Sequence, residues 1–400
     1  MGYPRVVTTT SLGDRLASAR KRRRMSQDQL ARASGVSIGL IRKIEQGQRQ
    51  SARLDTVSSL ASALDVPMTD LLGVHPGLSA GGEEADVATV RAAIYDRCDD
   101  REPVTLQVLR QNQHDMHGLY WHARYAQLAE LIPGHLSAAR AAVRAASGDD
   151  ARRQAQAVLA QGLKLTASLV THLAYEDLAH VALLQARDAA DASEDQLLIA
   201  SHSSTTAWVL SRQGLWQQAQ TLAAQAAKAI EPVFSEASPQ QIAMWGQLLH
   251  FGMVALAREG RGDEAHELLS LVQAAGQAVG NRAGPRVLFS ETFAAHSVVQ
   301  LHQATGQPRE ALKAARRVET PEALPPSVQS RFLLNKAWAL TLEWKSQEAL
   351  DALRKIEIIT PELLNHHGLA RSIVEELMPR RRKQRLPGLV GIAERIGVSE

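Results

Sequence analysis

The chain has 400 residues, 45% hydrophobic and 22% charged, enough for two or three domains with filled apolar cores. A single cysteine, Cys98, excludes an internal disulfide, no secretory signal pattern opens the sequence, and no apolar run approaches the ~18 residues of a spanning helix, so a cytoplasmic chain without membrane contact is expected. The net charge of +3 is uneven: residues 1–75 carry 12 Lys/Arg against 6 Asp/Glu and the remainder 33 against 36, so only the N-terminal piece has an anion-seeking field.

The N-terminal signals are short and helical. Leu12, Leu16 and Ala19 share one stripe, and Ser26 with Gln29 forms a capping box that opens a second helix running to about Ala33. Ser34-Gly35-Val36 reads as a tight turn, and Ser37 is placed to cap a third helix that reaches about Glu45 and stops at Gly47. On a helical wheel Leu40, Ile41 and Ile44 fall on one arc, leaving Ile38, Gly39, Arg42 and Lys43 on the other. Asp55 can cap a fourth helix with Val57, Leu60, Ala61 and Leu64 inward, and Thr69 to Leu72 supplies a last turn. The glycine-rich stretch from Gly73 to Gly82 then opposes helix. The expected organisation is a domain over 11–73, a linker over 74–84 and a second domain over 85–400.

The set Leu16, Arg20, Met25-Ser26-Gln27, Leu30-Ala31, Gly35-Val36-Ser37, Ile41, Ile44-Glu45, Gly47, Leu60-Ala61, Leu64 and Leu71-Leu72 resembles the Cro/repressor-type, or XRE, helix-turn-helix family. The resemblance implies a five-helix DNA-binding domain whose third helix enters the major groove of double-stranded operator DNA. By position, Gln27 would contact backbone and neighbouring bases, Ser37, Ile38, Gly39, Arg42 and Lys43 would face the groove, and Arg20 would pair with Glu45 as a partly buried structural ion pair. Arg22, Arg23, Arg49 and Arg53 are assigned to phosphate contacts at the rim. Two departures matter. Arg24 stands where the family commonly has glycine, which implies either a different bend or a compensating phosphate contact, and Gly39 stands where relatives often have a long polar reader. Such domains usually bind palindromic sites in pairs, so a homodimer held mainly by the second domain is expected.

Residues 85–400 lack strand alternation and are rich in alanine, leucine and glutamine at helical spacing. Gly214 to Ala219, Gly260 to Ala265 and Gly306 to Ala311 repeat a glycine five residues before an alanine, and Trp344 to Ala349 continues the series with tryptophan in the glycine place. Apolar helices over 195–212, 241–257, 286–304 and 328–343 precede these blocks, so each unit reads as a helical hairpin and the whole as an all-α stack. The arrangement resembles tetratricopeptide-like repeats, which leave a concave face for a peptide, a partner helix or a small molecule. Trp208, Trp245 and Trp338 fall in the first helices of units, where they either pack the core or line an effector pocket. Only Asn112, Asn281, Asn335 and Asn365 are available to clamp a peptide backbone.

Other motifs fail on context. Gly35-Val-Ser-Ile-Gly39 matches a hydrolase elbow but follows a helix rather than a strand, and Gly260-Arg-Gly-Asp-Glu-Ala265 matches a dinucleotide fingerprint without a β-α-β unit. His114, His117 and His122, near Asp115, Tyr120 and Trp121, read better as the edges of a packed aromatic helix than as metal ligands. Neither cofactor nor metal is expected, nor enzymatic activity. The expected function is an effector-responsive transcriptional regulator, with an adaptor whose repeats recruit a protein partner to DNA as the alternative.

Overall fold

The structure, a computed structural model, describes residues 12–49, 52, 54–64, 66, 71, 87–96, 102–280, 288–382 and 384–398. The expected linker, Arg53, Cys98, Asn281, the side chain of Asp55 and, apart from Leu71, the turn from Thr69 to Leu72 lie outside them. The described residues form helices, turns and loops without a strand.

The head contains α1 (Leu12–Arg22), α2 (Gln27–Ser34), α3 (Ile38–Glu45) and α4 (Leu54–Leu64). Ser26 and Gln29 make the reciprocal capping box at α2, Gly35 ends that helix at φ 69°, and Ser37 caps α3 through the Leu40 amide. The apolar stripes converge as the wheel requires, burying Leu16, Leu30, Ile41, Ile44, Val57 and Leu64 completely. Burial of each leucine-sized side chain contributes about 1.5–3 kcal/mol. Gly13 allows α1 to cross close over the end of α3: a Cβ there would overlap the Ile44 carbonyl oxygen.

The second region runs through α5 (Val87–Tyr95), α6 (Leu106–Trp121), α7 (Tyr125–Ala145), α8 (Asp149–His172), α9 (Glu176–Ser193), α10 (Gln196–Arg212) and α11 (Trp216–Ala229). It continues with α12 (Pro239–Arg258), α13 (Gly262–Val279), α14 (Glu291–Ala304), α15 (Pro308–Ala315), α16 (Pro326–Leu342) and α17 (Ser346–Ile359), and ends with α18 (Pro361–His366), α19 (Gly368–Leu377) and α20 (Leu389–Arg395). From α6 to α17 each helix packs on the next. The four predicted hairpins are present: Gly214, Gly260 and Gly306 have φ of 75°, 80° and 70°, and Trp344 takes φ 60°. Ala219, Ala265, Ala311 and Ala349 are fully buried where the second helix of each unit meets the first.

Two further hairpins precede them. Ala123 (φ 54°) and Ala174 (φ 64°) make the same turn between α6 and α7 and between α8 and α9. In each, the residue at positive φ donates to the carbonyl three back and its successor to the carbonyl five back, as in Ala174 to Thr171 and Tyr175 to Val170. The short helix α5 lies across α7 and α9, its last carbonyls taken by buried Arg140, which donates to Ala93 and Ile94, and by Gln185.

The stack curls until its ends meet. The amides of Tyr125 and Ala126, at the start of α7, donate to Oε2 of Glu362 on α18 at 2.8 and 3.1 Å, across more than 230 residues of sequence. This closure, together with contact between α6 and α16, encloses an inner face lined by α10, α12, α14 and α16. Arg380, in a run of basic residues, is mostly buried: it donates to the Thr341 carbonyl, pairs with Glu376 and lies over the Trp344 ring at 4.2 Å.

Candidate nucleic-acid interface and candidate effector cavity

The anchor of α3 is the Arg20–Glu45 pair. Arg20 donates from Nε and Nη2 to the two Glu45 oxygens at 2.7 and 2.8 Å, and from Nη1 to the Met25 carbonyl at 2.9 Å. The two side chains are only 13% and 6% exposed, so the bidentate geometry offsets a real desolvation cost. Hydrogen bonding to Glu45 raises Arg20 above its ordinary pKa. Burial alone would raise Glu45, yet hydrogen bonds from Arg20 and Gln27 outweigh it and leave the carboxyl below its usual range. Gln27 Nε2 reaches Glu45 at 2.7 Å, so this residue, expected to touch DNA, is tied into the scaffold here.

On the opposite arc Ser37, Gly39, Arg42 and Lys43 are exposed and Ile38 is half-buried. A side chain at Gly39 would meet open space, so the fold itself does not require glycine there. Arg22 and Arg49 are exposed at the rim. Arg23 is also exposed, but its Nε donates to the Leu64 carbonyl at 2.9 Å, tying the end of α1 to α4. Arg24 adopts φ 53°, the left-handed conformation that glycine takes more readily.

The head sits against the C-terminal end of the repeats, α4 touching α19 and the Arg15 guanidinium facing the Glu375 carboxyl, which burial raises above its usual pKa. Beside this contact a cleft of about 750 Å³ separates Ala33, Ser34, Ser62 and Ala63 of the head from the hairpin turns around Gly260 and Gly306.

A second cavity, about 170 Å³, lies on the inner face of the stack. Its walls carry Trp208, Trp216, Phe251, Phe293 and Leu334, with Arg212, Arg258, Arg331, His250, His296 and His367 among them. Of the three tryptophans expected to line a pocket, Trp208 does so, half-buried with its ring 5.3 Å from His172. The other two require correction. Trp245 is 6% exposed and packs edge-on against Phe234, outside this cavity. Trp338 is 1% exposed, a core residue behind the wall of the interdomain cleft. Sequence reasoning missed Trp216 and the three arginines, although Arg212 stands two residues before the turn glycine Gly214.

The three histidines of α6 and its end do not converge. His117 and His122 each bond through Nδ1 to the carbonyl four residues back. Tyr120 instead reaches across to His172, 3.3 Å from hydroxyl to Nε2. Among the described residues no His, Cys, Asp or Glu cluster could hold a metal ion, and no helix is long and apolar enough to cross a membrane.

Comparison with known proteins matches residues 11–72 to a family described as a helix-turn-helix domain. The chain is similar to the uncharacterized HTH-type transcriptional regulator RghRB of Bacillus subtilis (strain 168), 36% identical over 72 residues, 18% of this chain and 52% of that one. It is also similar to the HTH-type transcriptional repressor RghR of the same organism, 39% identical over 62 residues, 16% of this chain and 46% of that one. The chain thus spans about half the length of the curated relatives it matches. Among solved structures, the crystal structure of Bacillus thuringiensis PlcR in complex with the peptide PapR7 and DNA aligns over 94% of this chain and 99% of that chain, at 12% identity and a TM-score of 0.32. Residues 11–72 form a helix-turn-helix domain, and helical hairpins follow it.

Proposed function

We propose that the chain is a sequence-specific DNA-binding transcriptional regulator of the cytoplasm, dimeric on a palindromic operator, with a head over 11–73 joined by a linker over 74–84 to a repeat domain over 85–400 that binds an effector. The observation that carries the reading is the division of labour on α3. One face is fixed by the buried Arg20–Glu45 pair, and the other presents Ser37, Gly39, Arg42 and Lys43 to solvent. In this reading Arg42 and Lys43 read base edges, Gly39 lets the backbone approach closely, and Arg22, Arg49 and Arg53 engage phosphates, with Arg23 adding a contact through nitrogens other than Nε. Gln27 orients Glu45 and turns to the backbone when DNA arrives.

The inner cavity supports the effector role, and one pair joins it to the interdomain cleft. Arg258 donates to Oε1 of Gln303 at 3.0 Å and lies over the Trp216 ring at 5.7 Å, and both Arg258 and Gln303 line the inner cavity and the interdomain cleft. A ligand that moves this partition alters the seat of the head, and thereby its affinity for operator, in proportion to its preference between the two arrangements. The cavity is lined mainly by cationic and aromatic groups, and although His250 lies 2.8 Å from Ser297 Oγ, that hydroxyl donates to the Phe293 carbonyl and not to the ring, which supports a binding rather than a catalytic domain.

The test is selection of DNA fragments by the purified full-length protein, repeated with Arg42→Ala combined with Lys43→Ala. An enriched palindrome that the double variant no longer prefers is expected. Unaltered site preference in the double variant would place the reading surface elsewhere.

A further inference from the structure

The inner cavity carries an unbalanced charge. Arg212, Arg258 and Arg331 line it, and no aspartate or glutamate does among the described residues. Arg258 is satisfied by Gln303 and Trp216. Arg212 and Arg331, both half-buried, line the cavity and have neither a hydrogen bond nor an ion pair among the described residues. Desolvation, then the neighbouring Arg331, lowers the Arg212 pKa. A guanidinium partly withdrawn from water without a bonded counter-charge is costly to fold, and two of them lining one cavity add mutual repulsion.

Other polar groups on the same walls are also unspent. His296 is 2% exposed, and its Nε2 lies 3.4 Å from the Asn335 amide nitrogen, which can only donate. The ring proton therefore sits on Nδ1, a buried donor without a partner. Gln247 Oε1 is likewise buried and unpaired. Trp208, Phe251, Leu288, Phe293, Val328 and Leu334 add flat or apolar surface, beside the polar Ser211, His250, Gln300 and His367.

We propose that this cavity binds a compact anionic small molecule, a carboxylate or phosphate carried on a ring-sized apolar body, with Arg212 and Arg331 gripping the anion. The guanidinium forks match planar oxyanions in bidentate fashion, and His296 Nδ1 adds a donor. The volume limits the body: about 170 Å³ is close to the ~150 Å³ cavity that accommodates benzene, and is too little for an extended peptide. The inference rests on the reading of the repeats as the effector domain, but its failure would leave the DNA-binding reading untouched, because the two are measured separately.

Calorimetric titration of the full-length protein with benzoate, hexanoate, phenyl phosphate and the uncharged benzamide tests it, alongside melting of the free protein. Saturable binding of at least one anion is expected, with benzamide weaker by about tenfold or more, the ratio of one charge-assisted hydrogen bond. Arg212→Met and Arg331→Met should each abolish that binding while melting no lower than the parent, since each removes a half-buried charge that has no bonded partner. Preference for carboxylate over phosphate, or the reverse, identifies the anion. Equal affinity for benzoate and benzamide, anion binding that survives both substitutions, or no anion binding at millimolar concentration would overturn the proposal. If either variant melts lower than the parent, the acid-to-amide comparison on the parent protein decides.

Discussion

Arg20 is the residue on which the position of α3 depends. Its guanidinium satisfies both oxygens of a carboxylate that is 6% exposed, together with the Met25 carbonyl that closes the α1–α2 turn. Arg20→Ala strands that carboxylate, and chemical denaturation should show a loss of about 3–5 kcal/mol in the head. A loss below 1 kcal/mol would mean that Gln27 alone satisfies Glu45. The buried histidines act on pH in a defined direction. Burial lowers His250 and His296 to about 3 and His117 and His135 to about 4, from 6.5 in the open chain. The unfolded chain therefore takes up the extra protons, so the stabilisation is complete above about pH 6.5 and is lost as pH falls toward the folded values. At about pH 5 each of these groups costs about 2 kcal/mol, and Glu45, depressed in the fold, adds a loss at lower pH still. Melting temperatures should fall steeply between about pH 7 and 5, before most carboxylates titrate. A flat profile there would contradict the burial of these rings.

At the scale of elements, the turns explain what could be read beforehand and what could not. Capping box, tight turn and apolar arcs located α2 and α3 to within a residue, because Ser26, Gln29, Gly35 and Ser37 act locally, on backbone they touch. The four later hairpins were legible for the same reason, since glycine at Gly214, Gly260 and Gly306 marks positive φ. The two earlier hairpins were hidden because Ala123 and Ala174 hold that conformation without glycine, their strain outweighed by the packing of α6 to α9. The cavity was only partly visible: a helix wheel separates buried from exposed, but Arg212 and Arg331 lie on helices far apart in sequence that only the fold brings to one cavity. Left-handed non-glycine residues give a direct check. Arg24→Gly and Ala174→Gly should each stabilise the protein by about 1 kcal/mol in equilibrium unfolding, since glycine relieves the strain. A destabilised Arg24→Gly variant would show that the arginine side chain contributes more than its backbone costs.

For the molecule as a whole, head and repeats share one continuous apolar core from Leu12 to Val398, yet the contact is narrow and a cleft of about 750 Å³ lies beside it. On the proposed reading, that combination gives a seat firm enough to hold the head in one arrangement and small enough for a ligand in the inner cavity to shift it. The charge follows the same division, with a basic head on a slightly acidic body, so the field that draws DNA belongs to the end bearing α3. The most direct measurement is fluorescence anisotropy of the full-length protein on its best selected operator, at two salt concentrations, with and without the Arg42→Ala and Lys43→Ala pair. Tight binding that weakens steeply with salt, and a double variant that binds operator no better than unrelated duplex, is the expected result. Operator and unrelated duplex bound equally by the parent protein, or a double variant that still tells them apart, would contradict the assignment of α3 as the reading helix.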